Sequence, residues 1–380
     1  MNVEILPVQT RRNIEDFVRF PFRLYRRDPH WVPPLLSDRR KFLDSRHNPF
    51  YDHAEVALWL ARRGGQVVGT ISSHIDHLHN QIHGESIGMF GFFETVDDYA
   101  VAKPLLATAR DWVRQRGMTA LRGPLNFSQN HECGALIEGD GPPTLMMPYN
   151  PRYYVEFYEC FGLAKAMDLY AYLLDLTQFE GYPNAPLPKL LRVAEKVKKR
   201  TRATIRSSTK KTWAEDVQKV KVIYNQAWKE NWGFVPMTDA EFNELAADLR
   251  RILDLDLAIV AEADSEPAGM SITIPDYNQV LRRLDGRLLP IGWIKALLLA
   301  RSITRARMTI FGVVEKYRGQ GIEALLIFET IKAAVLSGYH DLEFSWILEN
   351  NDMVNRLIAS LGQGYGVRVY RTYRIYQMAV

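Results

Sequence analysis

Two pairs of short runs in which apolar and β-branched residues partly alternate with polar ones, Val56 to Arg62 with Gln66 to Ile75 and Leu257 to Glu262 with Pro267 to Ile274, predict strand pairs joined by turns. Each pair is followed by the same succession. The first half reads as a third strand at Ser86 to Glu94, a helix at Val101 to Arg116 and a fourth strand at Thr119 to Phe127. The second half repeats it at Arg307 to Val314, Ile322 to Leu336 and Asp341 to Leu348. A helical stretch and a Tyr-rich strand close each half: Tyr153 to Phe161 with Asp168 to Leu176, and Met353 to Leu361 with Val369 to Met378. Opening helices fit at Glu15 to Arg26 and Trp213 to Trp228, the latter with Val217, Val220, Ile223, Tyr224 and Ala227 at core spacing.

A shift of 200 residues superposes Gly69 on Gly269, Asp76 on Asp276, Asn150 on Asn350 and Gly162 on Gly362. Order and landmarks together predict a duplicated α+β unit. The turn-rich Gly181-Tyr182-Pro183-Asn184-Ala185-Pro186-Leu187-Pro188 marks the join, so residues 1–180 form one domain, 181–212 a basic linker and 213–380 the other.

Composition changes this picture little. Of 380 residues, 47% are hydrophobic and 24% charged, which excludes a disordered or fibrous chain. Cys133 and Cys160 cannot make a disulfide framework or a C-x-x-C metal site, and the N-terminus has no signal-peptide pattern, so a cytoplasmic protein is expected. Leu288 to Ala300 is too short to span a bilayer, which takes about 20 residues. With Trp293, Leu297, Leu298 and Leu299 it is expected to enter the chain's own core; a partner or a membrane surface are the alternatives.

Net charge is +4, yet the stretch Lys189 to Lys211 holds ten cations against Glu195 alone. Such a block suits a solvated helix, or a phosphorylated ligand, an acidic carrier protein or nucleic acid. Nucleic acid is the least expected of these. The cluster His74, Asp76, His77, His79 and His83 is expected to be a polar hairpin end rather than a metal site.

The sharpest local signal is Arg318-Gly319-Gln320-Gly321-Ile322 between an apolar strand and an apolar helix. Glycines at a helix start let backbone N–H groups approach an anion such as a pyrophosphate. Strand, Arg-Gly-Gln-Gly-Ile, helix, strand and Asn-led helix together resemble the GCN5-related N-acetyltransferase (GNAT) superfamily across the whole second half. The resemblance implies two GNAT-like (acyl-CoA N-acyltransferase) domains, each a mixed, mostly antiparallel sheet flanked by helices. It implies a coenzyme A thioester, acetyl-CoA or another acyl-CoA, on Arg318, Gly319, Gln320, Gly321, Ile322, Glu323 and Ala324. Pantetheine would pair with Gly312, Val313 and Val314, and Asn351 would stand at the family's asparagine position. Glu323 departs from the family's Gly or Ala. Ile358 stands where the family has a tyrosine acid, leaving Tyr365, Tyr370 and Tyr373 nearby. Glu262, Glu343 and Glu349 are weak base candidates, and no catalytic residue is assigned.

The first half resembles the superfamily too, but has Thr95-Val96-Asp97-Asp98-Tyr99 in place of a cradle. It keeps Tyr158-Glu159-Cys160-Phe161-Gly162, the helix ending the second half lacks. By that resemblance the second half binds the donor and the first shapes the acceptor pocket. Asn126, Ser128, Asn130 and Glu132 of the polar loop after the fourth strand, with Asn225, Trp228 and Trp232, are the candidate acceptor contacts. The reading is an acyltransferase, with acetyl expected as the acyl group and a small-molecule amine as acceptor. A donor carried on acyl carrier protein or aminoacyl-tRNA, and a thioester sensor without turnover, are the alternatives.

Overall fold

The computed structural model describes residues 2–179, 181–183, 194, 195, 197, 198, 201 and 203–380, with the side chains of 362–364 set aside. Most of the turn-rich join and Lys189, Arg192, Lys196, Lys199, Arg200 and Arg202 lie outside the described residues. The strands are β1 (Glu4–Pro7), β2 (Ala54–Arg63), β3 (Gln66–Asp76), β4 (Ile87–Thr95), β5 (Ala120–Gly123), β6 (Ala135–Glu138), β7 (Ala164–Asp175), β8 (Thr204–Ser207), β9 (Ala258–Ala263), β10 (Glu266–Pro275), β11 (Arg305–Val313), β12 (Asp341–Leu348) and β13 (Arg368–Ala379).

The chain forms two units that are not simple halves. The first takes residues 1–169, 278–298 and 371–380, the second 170–277 and 299–370. Thus the last strand of the sequence completes the first unit, where β13 runs antiparallel to β5 with Tyr376 opposite Gly123. A short piece from the middle of the second half, 278–298, also belongs to it.

In the first unit β1 to β4 are antiparallel neighbours and β4 runs parallel to β5. Helix Tyr99–Arg114 lies over this sheet and buries Val101, Leu105, Ala109, Trp112 and Val113, a stripe at helical spacing. Its N-terminus is capped by Asp98, whose carboxylate accepts Ala100 N–H at 2.9 Å and pairs with Arg63 at 2.6 Å. The second unit repeats the plan: β8, β9, β10 and β11 are antiparallel, and β11 is parallel to β12. Helix Ile322–Leu336 covers its sheet through Ile322, Leu326, Ile331 and Val335. Helix Trp213–Ala227 buries Ile223, Tyr224 and Ala227 as the spacing predicts.

Several expectations are corrected. The fourth strand of the first half ends at Gly123, because Pro124 has no N–H to continue a ladder. The histidine-rich stretch is a helix, His77–His83, started by Asp76, which accepts His79 N–H at 3.1 Å. Burial of His74 on β3 holds its pKa down at about 4, against the raising effect of its bond to Phe127 O at 2.7 Å. Helix Gly292–Ala300 has no buried residue, so the apolar run from Leu289 to Leu298 is not core.

Candidate active site

The pairing of β3 with β4 carries the feature that builds the site. Thr70 pairs with Glu94 and Ser72 with Gly91, so one residue of β3 faces two of β4, Phe92 and Phe93. This is a β-bulge, and Phe92 takes φ of 45° within it. A bulge breaks the period-two alternation, and Phe92, Phe93 and Glu94 all line one cavity of about 420 Å³.

Beside the bulge, β4 and β5 pair only from Ile87–Met89 to Ala120–Arg122 and then diverge. The chain after β5 crosses back over β4 at two glycines. A methyl group at Gly91 would lie 1.8 Å from Leu125 O, and one at Gly123 would lie 2.4 Å from Phe90 O. This contact fixes the following loop. Leu125 N–H donates to Phe90 O, and the freed Phe92 N–H donates to Asn126 Oδ1, both at 2.8 Å. Asn126 in turn donates to Glu132 at 2.8 Å, and Glu132 faces Arg39 at 3.3 Å.

Glu94 is the one acid in the run Ile87 to Thr95. Its carboxylate accepts the hydroxyls of Tyr25 and, at 2.8 Å, Tyr154. Tyr154 also accepts Thr95 N–H at 2.8 Å, which fixes its orientation. Desolvation pushes the Glu94 pKa up to about 7, against the lowering effect of the two hydroxyls and Arg39; Glu132 raises it further. The carboxylate is thus poised to take or give a proton near neutrality. Tyr25, Tyr154 and Tyr158 are driven well above the usual phenol range by burial, with the Glu94 charge adding to it, and remain protonated donors. Tyr158 lines the same cavity, its ring packed against Phe90, Phe93 and Tyr376.

The rest of the wall is mainly apolar. Phe17, Val18, Trp31, Val32, Phe42, Leu145 and Met147 contribute it, and Asn278 and Leu281 close it from the inserted segment. Asn278 donates to Pro143 O at 2.9 Å. The result is an apolar chamber with an ionisable carboxylate, the three phenols of Tyr149, Tyr154 and Tyr158, and an Arg–Glu pair.

Of the predicted acceptor contacts, Asn126 and Glu132 reach this cavity. Ser128 and Asn130 instead build the loop's own turn: Ser128 Oγ accepts Asn130 N–H at 3.2 Å and bonds His131 Nδ1 at 3.0 Å. Asn225, Trp228 and Trp232 lie in the second unit. There Trp228 donates to Phe311 O at 3.1 Å, and a methyl group at Gly312 would meet Ala227 at 2.9 Å. Val313 O accepts Arg318 Nε at 3.1 Å, and Val314 N–H donates to Ala268 O at 2.9 Å. Val313 O and Val314 N–H thus have partners within their own unit, while the β11–β12 ladder ends at Met308 and Phe344, short of Gly312.

The Arg318–Ala324 loop has the expected turn, with Gly319 and Gly321 at φ of +72° and +88°. As folded it does not fit a pyrophosphate. Glu323, buried at the start of its helix, accepts Gly319 N–H at 3.1 Å, and Val197 lies 2.4 Å from where a methyl group at Gly321 would stand. Gln320 folds onto Lys316 O at 3.1 Å, Ile322 is core, and Ala324 is half-buried on the same helix. The Glu323 departure is therefore structural: its carboxylate takes the place of an external anion. Asn351 caps the helix Asp352–Tyr365 by accepting Val354 N–H at 3.3 Å, and Ile358 is core. Glu262 pairs with Arg206 and Lys219, while Glu343 is buried with Arg307, Ser345 and Tyr370. The basic block's described members are likewise engaged in part, Lys198 with Glu329 at 3.7 Å and Arg206 with Asp216 at 2.7 Å.

Sequence reasoning passed over Glu94, Tyr25, Tyr154 and Arg39. A signal for Glu94 was present: a lone carboxylate ending an otherwise apolar strand carries a desolvation cost that core packing does not repay.

No protein-family profile matches the chain. Among solved structures, a tandem GNAT protein from the clavulanic acid biosynthesis pathway is similar over 100% of this chain and 98% of its own, with a TM-score of 0.57 at 14% identity. A GCN5-related N-acetyltransferase from Sphaerobacter thermophilus covers 99% of this chain and 95% of its own, with a TM-score of 0.54 at 11% identity. In sequence, a protein of Caulobacter vibrioides named bacterial ceramide synthase is 37% identical over 100% of this chain and 98% of its own. Protein YghO of Escherichia coli is 34% identical over 97% and 94%. With a bulged strand in a mostly antiparallel sheet, the chain has the fold of tandem GNAT proteins, and it belongs to the family of these two relatives.

Proposed function

We propose that the chain is an N-acyltransferase that joins the acyl group of a thioester to the primary amine of a long-chain amino alcohol, giving a ceramide-type amide. The observation that carries this reading is Glu94, a carboxylate with a pKa of about 7 at the polar end of an apolar chamber. The name of the Caulobacter relative supports the substrate class.

The amine must lose a proton to attack, and Glu94 is suited to take it. Nitrogen attacks the thioester carbonyl carbon, the C–N bond forms and the C–S bond breaks. Tyr158, held as a phenol, stands at the position of the superfamily's tyrosine acid and supplies the thiolate's proton. Tyr25 and Tyr154 hold the Glu94 carboxylate in one orientation, and the Arg39–Glu132 pair offers contacts for the hydroxyl groups of the head. The apolar wall favours a long chain over the small acetyl group expected from sequence. Because the Gly319–Gly321 loop is filled by Glu323 and Val197, no step is assigned to coenzyme A's pyrophosphate there.

The test is thiol release and product mass on mixing the purified chain with a long-chain base and either palmitoyl-CoA or palmitoyl carrier protein. Amide formation with either donor supports the reading, and the faster donor names the carrier. Thioester binding without release of thiol under any pairing refutes it in favour of the sensor.

A further inference from the structure

Six of the eleven large apolar side chains found exposed among the described residues fall within ten positions. They are Leu289, Ile291, Trp293, Ile294, Leu297 and Leu298, and Leu289 is 79% exposed. On helix Gly292–Ala300 the apolar Trp293, Ile294, Leu297 and Leu298 occupy about 140° of the circumference at 100° per residue. Gly292, Ala296, Leu299 and Ala300 lie half-buried on the opposite side. A patch of this density on a folded chain marks an interaction surface.

Its mounting is firm. Leu284 and Gly286, just before the helix, are buried. Gly286 O accepts Leu36 N–H at 3.0 Å, and Phe22 packs where a side chain at 286 would stand. Leu281 of the same segment lines the chamber that holds Glu94, as do Pro34 and Leu35 from the contacted stretch. The exposed face thus extends from a wall of the proposed lipid site.

Its charge identifies the partner. Between residues 282 and 301 the cations are Arg282, Arg283, Arg287, Lys295 and Arg301, all exposed, against Asp285 alone. The surplus of four equals the net charge of the entire chain. A second copy meeting this face by twofold symmetry would bring the same cations against one another. A bilayer with anionic headgroups satisfies both components: apolar side chains enter the headgroup–acyl boundary, tryptophan favours that boundary, and Arg and Lys stay at headgroup level. No helix among the described residues is long and apolar enough to cross a membrane, so the contact is peripheral.

We propose that the segment Leu284–Arg301 is a membrane-docking element that seats the first unit on an anionic lipid surface, from which a lipid substrate enters the Glu94 chamber. Only the delivery clause rests on the proposed acyltransfer; the docking is independent of it.

The test is flotation of the full chain with vesicles of phosphatidylcholine alone and with 30 mol% phosphatidylglycerol, at low and high salt. Binding to the anionic vesicles is expected, weakened by salt. A blue shift of emission that is absent in Trp293→Phe is expected too. The doubly substituted Leu297→Glu/Leu298→Glu chain should lose at least tenfold in partitioning, yet keep its melting transition and its turnover of short, water-soluble substrates. A parent that stays in the aqueous fraction with every vesicle overturns the proposal, as does a double variant that floats like the parent. A parent dimer that the double variant converts to monomer, without vesicle binding, assigns the face to a second copy and also overturns it. An inactive chain that floats leaves the docking standing while the acyltransfer reading falls; an active chain that does not float does the reverse.

Discussion

Replacing Glu94 with Gln changes one protonatable oxygen in a chamber whose other contacts stay in place, since the amide oxygen still accepts Tyr25 and Tyr154. Two effects of opposite sign follow. In the native chain the folded state holds the Glu94 proton up to about pH 7, whereas the unfolded chain releases it near 4.5. Between those values the folded state binds more protons, so stability falls as pH rises. The gap from 4.5 to about 7, at about 1.36 kcal/mol per pH unit, sets an upper bound of about 3 kcal/mol. The Gln variant does not incur this cost and should be more stable than the parent above pH 7, by about 1–3 kcal/mol, with little difference near pH 4.5. Activity should move the other way. Loss of a general base costs about 10²–10⁴-fold. The parent's kcat/KM should rise through about pH 7 and the variant's should not. Urea denaturation at pH 5 and pH 8, run beside initial rates at both, reads both effects. A variant that is less stable at pH 8, or that keeps the parent's pH–rate profile, refutes Glu94 as a desolvated base.

Further expectations concern individual contacts. Tyr158→Phe keeps the ring packing with Phe90, Phe93 and Tyr376 but not the phenol proton, so kcat should drop about tenfold or more with an alkyl thioester. The deficit should shrink with an aryl thioester, whose thiolate needs no proton; an equal deficit with both donors removes Tyr158 as the acid. Glu323→Ala uncaps Gly319 N–H and should cost about 1 kcal/mol in thermal unfolding without improving KM for the thioester. A tenfold fall in KM would show that the loop is a donor site. Gly91→Ala places a methyl group on Leu125 O, and because both atoms belong to the backbone neither yields easily. A loss of about 3 kcal/mol or more is expected, and a variant within about 1 kcal/mol of the parent by denaturation contradicts the close crossing.

Much of the architecture was legible because burial imposes a period on the sequence. The helix Ile322–Leu336 and strand β12 fall on the predicted residues, since apolar side chains dominate both and each ends at a polar turn. The duplication was legible for the same reason. Its units, however, are not the two halves of the chain: the 371–380 strand segment and the 278–298 insertion belong to the first unit, and no local pattern states which unit a strand will join. The exposed helix was misread because an apolar run looks alike whether it faces a core or a lipid surface. Only its neighbours' charges differ, and five cations lie around it in the sequence.

The site divides along the same line. The glycine-bearing loop drew attention because glycine is rare at a helix start without a reason, yet the reason here is internal. In both units the helix after the central strand receives a carboxylate from its own chain, Asp98 in one and Glu323 in the other. Asp98 caps its helix directly, whereas Glu323 ties down Gly319 N–H in the loop before its helix, whose N-cap Gly321 has no side-chain cap. The proposed chemistry lies instead at the bulge of β4, where one extra residue turns Glu94 into an apolar chamber. A bulge has no composition of its own, so it is seen only in the register of paired strands. What the sequence does carry is its consequence, a carboxylate at the end of seven residues without a charge. Buried His74 titrates in the opposite sense to Glu94. His74 must stay neutral down to about pH 4, so it takes stability away as pH falls below 6.5, while Glu94 takes it away as pH rises above 4.5. The two contributions oppose each other between 4.5 and 6.5, so the Glu94→Gln chain should gain stability relative to the parent steadily with rising pH in that window.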